Sequence, residues 1–227
     1  PRIAREVTIE PKGPAARSAC ASIYWVMPAL DAVVTPHVLP GPGGKAPRPV
    51  DARALVRWRQ RLETVGEPPW LHAEVARRMG ERLGLIKRNP RRLLVWWPRV
   101  GGGLAELARA YPAARMQEVA TRLQPDELHR AWWRRFTVPR REMCDPSQVE
   151  PGAYELVWSN MMLQAMPDPL ALFRAWSRAL TVDGFLMFST LGPGSLPQLR
   201  ALYADRGWGP PMAELVDMHD LGDMLVE

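Results

Sequence analysis

The stretch "LLVWWPRVGGGLAEL", residues 93–107, passes from an apolar run through three glycines into the first turn of a helix. Strand, glycine loop, helix is the order in which a parallel α/β sheet builds a nucleotide site. Glycine lets the backbone approach a ligand closely, and the helix start favours anionic groups. Trp96, Trp97 and Pro98 stand where such a loop usually carries small residues and an acid.

Outward from this stretch the chain alternates. Residues 51–63 and 68–86 read as helices, the second with Leu71, Val75, Met79, Leu83 and Ile86 along one stripe. Residues 91–97 read as a strand followed by a helix from the glycines onward. Residues 114–119 follow as a strand and 125–136 as a helix with Asp126 and Glu127 in its first turn. Then come a strand at 154–160, a helix at 168–180, a buried strand at 184–191, and helices at 195–207 and 217–226. Strands alternating with helices predict a mainly parallel sheet covered on both faces, with its ligand at the carboxyl ends of the strands.

Ahead of this pattern, residues 1–50 are rich in Pro, Gly, Ala and Arg and show no sustained period. They read as a flexible leader, and 51–227 as the folded domain. Of the net charge of +6, residues 151–227 contribute four Lys/Arg against nine Asp/Glu, so about +11 lies in residues 1–150. A basic surface of that kind suits an acidic partner or forms a solvated face. The strings "VRWRQR" (56–61) and "HRAWWRRF" (129–136) interleave Arg with Trp as single-strand nucleic-acid binders do, which leaves an RNA-associated protein as a distant reading; such stripes are more often amphipathic helices with buried tryptophans, so no nucleic acid is expected. Cys20 and Cys144 stand far apart with no ligand cluster, and Asp217, His219, Asp220 and Asp223 do not converge on a helix, so neither zinc nor another metal is expected. No run approaches the roughly 18 apolar residues that span a bilayer, so no membrane partner is expected and a cytoplasmic location fits.

The block "YELVWSNMMLQAMPDPLALFRAWSRALTVDGFLMFSTLGPGSLPQLRALY" (154–203), above all "FSTLGPGSLPQL" (188–199), resembles the class I S-adenosylmethionine-dependent methyltransferases, and within them the malonyl-acyl-carrier-protein O-methyltransferases of biotin synthesis. "DMHDLGDMLVE" (217–227) shares the likeness. The resemblance implies a Rossmann-like class I methyltransferase fold with its C-terminal strands missing, so that 184–191 would keep an open apolar edge. It implies S-adenosyl-L-methionine as cofactor, and methyl transfer to the carboxylate of a malonyl group on acyl carrier protein or as a CoA thioester. Gly102 matches the third glycine of the family's cofactor loop, while Trp96 replaces its acid and Pro98 and Val100 its first two glycines. Glu118 matches the acid that binds the ribose hydroxyls, Asn160 a strand-end contact near the methionine part, and Asp145 an acid after the third strand. Arg174 and Arg178 match arginines that would hold the malonyl carboxylate, and Gln164 lies just beyond the strand end. No catalytic base is implied, because the nucleophile arrives ionised. The altered loop leaves a second expectation, a non-catalytic relative that keeps the fold as an interaction module.

Overall fold

The computed structural model describes residues 22–28, 52–120 and 141–226. Its elements in chain order are β1 (Ser22–Pro28), α1 (Ala52–Val65), α2 (Trp70–Leu83), β2 (Arg92–Trp96), the single turn α3 (Pro98–Gly101), α4 (Leu104–Ala110), β3 (Arg115–Val119), β4 (Arg141–Cys144), β5 (Tyr154–Ser159), α5 (Pro169–Ala179), β6 (Leu180–Leu191), α6 (Pro197–Asp205) and α7 (Met218–Val226). The six strands form one sheet in the order β1-β6-β5-β2-β3-β4. All neighbours run parallel except β1, which is antiparallel to β6. From β2 the chain builds outward through β3 and β4, then returns to the other side with β5 and β6. The order reverses between β2 and β5, and the crevice at such a reversal is where open α/β sheets take their ligands.

Continuous apolar runs mark strands covered on both faces, and β2 obeys this: Leu93, Leu94, Val95 and Trp96 are all buried. One face packs Leu94, Trp96, Val157, Leu186 and Phe188 against Phe173 and Trp176 of α5, with Leu221 of α7 and, less buried, Trp58 and Leu62 of α1. The other packs Leu93, Val95, Met116, Leu156, Trp158 and Met187 against Val75, Ala76, Met79 and Leu83 of α2 and Leu107 of α4. The α2 stripe predicted from periodicity is therefore its core face. Helix α5 starts at Asp168, whose carboxylate accepts from Ala171 N at 2.9 Å, with Pro169 as the first helical residue. Both choices suit a helix start, since an Asp cap satisfies an orphan amide and proline has no amide to satisfy.

The α/β class and the parallel sheet are as the sequence predicts, and so are four of its strands. The structure adds β4, which the sequence reading passed over, and extends β6 back to Leu180. A register shift against β5 between Tyr154 and Leu156 accommodates the added residues, among which Asp183 takes φ 67°. The expected open edge on 184–191 is corrected. Ser22–Pro28, inside the stretch read as a leader, pairs antiparallel with β6 from Ser22↔Leu191 to Pro28↔Phe185. The backbone groups that an edge strand would leave unpaired are met there by β1. The predicted helix 125–136 lies outside the described residues.

A candidate cofactor site at the strand ends

The carboxyl ends of β2, β3 and β5 lie side by side, Trp96 being in register with Val119 on one side and Ser159 on the other. Two of these strands leave the sheet through a non-glycine residue in the left-handed region, Trp97 at φ 45° after β2 and Met161 at φ 54° close after β5. Side chains with a β-carbon avoid that region, and such outliers persist only where the surroundings over-determine them. Trp97 is held by its amide, which donates to Val119 O at 3.0 Å, and by its buried ring, edge-on to Trp96 with centroids 5.5 Å apart. Both tryptophans belong to the core.

Beyond Trp97 the α3 turn leads to Gly102 (φ 79°) and Gly103 (φ 103°), and the chain enters α4. Positive φ explains glycine at both positions. What presses on these glycines is the protein itself. A β-carbon at Gly101 would lie 2.5 Å from Asn160 O, one at Gly102 would meet Pro68 Cγ at 3.3 Å, and one at Gly103 would collide with the Trp158 indole. Trp158 Nε1 donates to Gly102 O at 3.3 Å, which fixes the indole beneath the loop.

Asn160 is the hub of this packing. It is fully buried; its Nδ2 donates to His72 O at 2.8 Å and to Gly101 O, and its Oδ1 accepts from Ser189 Oγ at 2.5 Å. Ser189 Oγ in turn accepts from Met161 N at 3.1 Å. One carboxamide thus ties α2, the glycine loop and β6 to the end of β5. Gln164 extends the network, donating to Met161 O at 2.7 Å and accepting from Thr190 Oγ1 at 3.2 Å. Neither His72 nor Ser189 carries a sequence signal for this role, because both come from distant elements.

His72 Nδ1 lies 2.8 Å from Val100 O, to which only a protonated ring nitrogen can donate. Burial is the larger influence on the imidazole and pushes its pKa below the ordinary 6.5, outweighing the Val100 hydrogen bond. The unfolded chain then takes up this proton before the folded one does. Stability is expected to be level above about pH 6.5 and to fall as the pH drops below it. Urea midpoints measured from pH 8 to pH 5 should decline for the native chain and decline less for His72→Gln.

Of the residues singled out in the sequence, Gly102 and Asn160 are brought together at this loop, and Glu118, buried near the end of β3, stands one strand further along. Asp145 follows β4, where it caps a short 3-10 turn: its Oδ1 accepts from Ser147 N at 3.0 Å and from Ser147 Oγ at 2.8 Å. Those bonds, the backbone one first, hold its carboxyl below the ordinary value. Arg174 and Arg178 lie on the exposed face of α5. Gly152 N, ahead of β5, donates to Arg178 O at 2.7 Å, so Arg178 stands at the amino end of the sheet and does not share a site with Asn160. Helical spacing placed Arg174 and Arg178 one turn apart without revealing which way α5 runs past the sheet.

No family model matches the chain. The malonyl-acyl-carrier-protein O-methyltransferase of Gallionella capsiferriformans is 36% identical over 165 residues, which is 69% of this chain and 57% of that protein. The enzyme of the same name from Laribacter hongkongensis is 36% identical over 169 residues, covering 69% and 56%. That of Legionella pneumophila is 31% identical over 156 residues, covering 67% and 55%. The chain thus spans little more than half the length of these relatives. In structure it is similar to the (4+2)-cyclase SpnF, with TM-score 0.55, 16% identity and coverage of 80% of this chain and 74% of that one. It is also similar to the N-methyltransferase NodS from Bradyrhizobium japonicum in complex with S-adenosyl-L-homocysteine, with TM-score 0.50, 16% identity and coverage of 76% and 84%. At such identities the structural likeness establishes the fold. The strand order and the sequence matches agree: the chain is a homologue of the malonyl-acyl-carrier-protein O-methyltransferases, built on the Rossmann-like α/β fold of methyltransferases.

Proposed function

We propose that the chain carries out S-adenosyl-L-methionine-dependent methylation of the free carboxylate of a malonyl group, on acyl carrier protein or as the CoA thioester, in the cytoplasm and as a step of biotin synthesis. The observation that carries this reading is the 36% identity, over 165 residues, to an enzyme named for that activity. The match runs along a fold whose topological switch point lies at Trp96 and Ser159.

The donor set fits the cofactor at one end. Glu118, a buried carboxylate near the end of β3, has the chemistry to accept hydrogen bonds from both ribose hydroxyls. The loop does not fit as an open cradle, because the spaces over Gly101, Gly102 and Gly103 are taken by Asn160, Pro68 and Trp158. Gly102, Glu118 and Asn160 are the proposed cofactor positions, with contact at the loop requiring the Asn160–Gly101 bond to open. S-adenosylmethionine, when bound, supplies an electrophilic methyl group. This chain's part is to exclude water and hold an already ionised carboxylate in line, which needs no proton transfer. Arg174, exposed on α5, is the proposed outer contact for the substrate, on the anionic carrier or CoA portion that stays outside the sheet.

Isothermal titration with S-adenosylmethionine and S-adenosylhomocysteine tests this reading. Glu118→Ala is expected to weaken cofactor binding by about 1.5–3 kcal/mol, the worth of hydrogen bonds to a charged group. Unchanged affinity would remove Glu118 from the site. The self-packed loop favours a second reading, a non-catalytic interaction protein. Absence of heat with either ligand would select it.

A further inference from the structure

Five buried side-chain polar atoms among the described residues have no hydrogen-bond partner, and three of them, Trp96 Nε1, Ser159 Oγ and Trp176 Nε1, belong to residues of neighbouring elements at one end of the sheet. Trp96 ends β2 and Ser159 ends β5, the two being neighbours in register, and Ser159 is in register with Phe188 of β6. In parallel strands, residues in register point to the same face. Trp96, Ser159 and Phe188 therefore form a row across three strands at the mouth of the sheet. Helix α5 lays Trp176 over this row, its ring centroid 6.0 Å from Trp96 and 5.9 Å from Phe188. Trp96 is 3% exposed, and Ser159 and Trp176 are not exposed at all.

An indole N–H can only donate, and a serine hydroxyl can donate as well. A buried donor without an acceptor is costly enough that nearly all find one. Two unmet donors in this row and a third on the helix packed over it, at the strand ends where this class of sheet takes its ligand, call for an acceptor from outside the chain. We propose that Trp96 Nε1, Ser159 Oγ and Trp176 Nε1 form a donor site for a ligand carboxylate.

Carboxylate oxygens have enough lone pairs to accept from all three groups. Neutral donors in an aromatic setting hold such an anion without a tight ion pair, which leaves its charge available to a reaction. The surroundings restrict the occupant to a small group: Trp97, Val100, Met162 and Leu163 are buried in the same apolar cluster. The α3 turn that follows Trp96 and left-handed Trp97 is pinned by His72 Nδ1 to Val100 O and by Asn160 Nδ2 to Gly101 O. On the substrate reading above, from which this identification takes its ligand, the carboxylate is the free one of the malonyl group.

The test reads the two indoles directly and does not depend on turnover. The 227-residue chain, labelled with nitrogen-15 in its tryptophans, is titrated with sodium malonate and with malonyl-CoA. Dimethyl malonate is the uncharged control, and Trp96→Phe and Trp176→Phe assign the signals. Both indole N–H signals are expected to shift together and saturably with malonate and malonyl-CoA, and to stay in place with dimethyl malonate. Ser159→Ala, which removes one donor with little change of volume, should raise the half-saturating malonate concentration about tenfold. Signals that ignore malonate and malonyl-CoA while exchanging magnetisation with bound water would assign the site to a resident water and overturn the proposal. Shifting indoles in a chain that transfers no methyl group would defeat the proposed function and leave this site standing. Methyl transfer with silent indoles would do the reverse.

Discussion

Asn160→Ala is expected to lower the unfolding free energy by about 4 kcal/mol, measured by urea denaturation, because it removes the shared partner of three buried groups. His72 O, Gly101 O and Ser189 Oγ would all lose their bond to the carboxamide in a space that stays closed to water. Each loss in isolation costs on the order of 1–3 kcal/mol, and the three are not additive because relaxation of one carbonyl eases the next. Asn160→Asp should be at least as harmful, since it turns the donor facing two carbonyls into an acceptor. If instead Asn160→Ala unfolds within about 1 kcal/mol of the native chain, the carboxamide does not brace the loop.

Gly103→Ala is expected to cost about 3 kcal/mol, for two reasons that act together. The position sits at φ 103°, which an L-residue with a β-carbon rarely adopts, and the added methyl would collide with the Trp158 indole. Trp158 cannot step aside cheaply: it is fully buried and its Nε1 donates to Gly102 O. Gly152→Ala separates the two contributions, since that position has φ 62° and nothing within 4 Å of an added β-carbon. It carries the backbone cost alone, about 1 kcal/mol. Equal destabilisation by the two substitutions would mean that the Trp158 contact contributes nothing.

These two positions show how far the sequence speaks. The string 101–103 announces that three β-carbons are unwelcome, and the run before it announces a buried strand. What it does not announce is who occupies the space. A glycine cleared for a pyrophosphate or an adenosine and a glycine cleared for an indole are the same letter, and Trp158 is 55 residues away from Gly103 in the chain. Asn160 was legible as a strand-end polar residue, because "YELVWS" is a clear strand and asparagine ends it. Its partners were not, since His72 lies on a helix stripe and Ser189 inside a buried strand, each in a local context that accounts for the residue without the other two.

Local pattern failed at the sheet edges for a similar reason. β4 is "REMC", too short and too polar to show a period, and it is a strand because Met116–Val119 offers it a parallel ladder. β1 lies in a chain segment whose composition argues for a leader, and its place is set by the unpaired side of β6. Edge strands are decided by the partner that needs them. Trp96 and Trp97 are the same case in the core: as letters they spoil a glycine loop, and in the fold they fill the cluster under α5 with Trp176, Phe173 and Phe188.

The proposed methyl transfer to a malonyl carboxylate is reached directly by one measurement. The 227-residue chain is incubated with malonyl-acyl carrier protein and S-adenosylmethionine labelled in the transferable methyl, and the carrier protein is then recovered and treated with mild base. Label is expected on the carrier protein, released by base as methanol because the product is a methyl ester, and none on carrier protein bearing an acetyl group, which has no carboxylate to receive it. Unlabelled malonyl-carrier protein, in a run where a full-length relative such as the Laribacter hongkongensis enzyme labels the same sample, would contradict it.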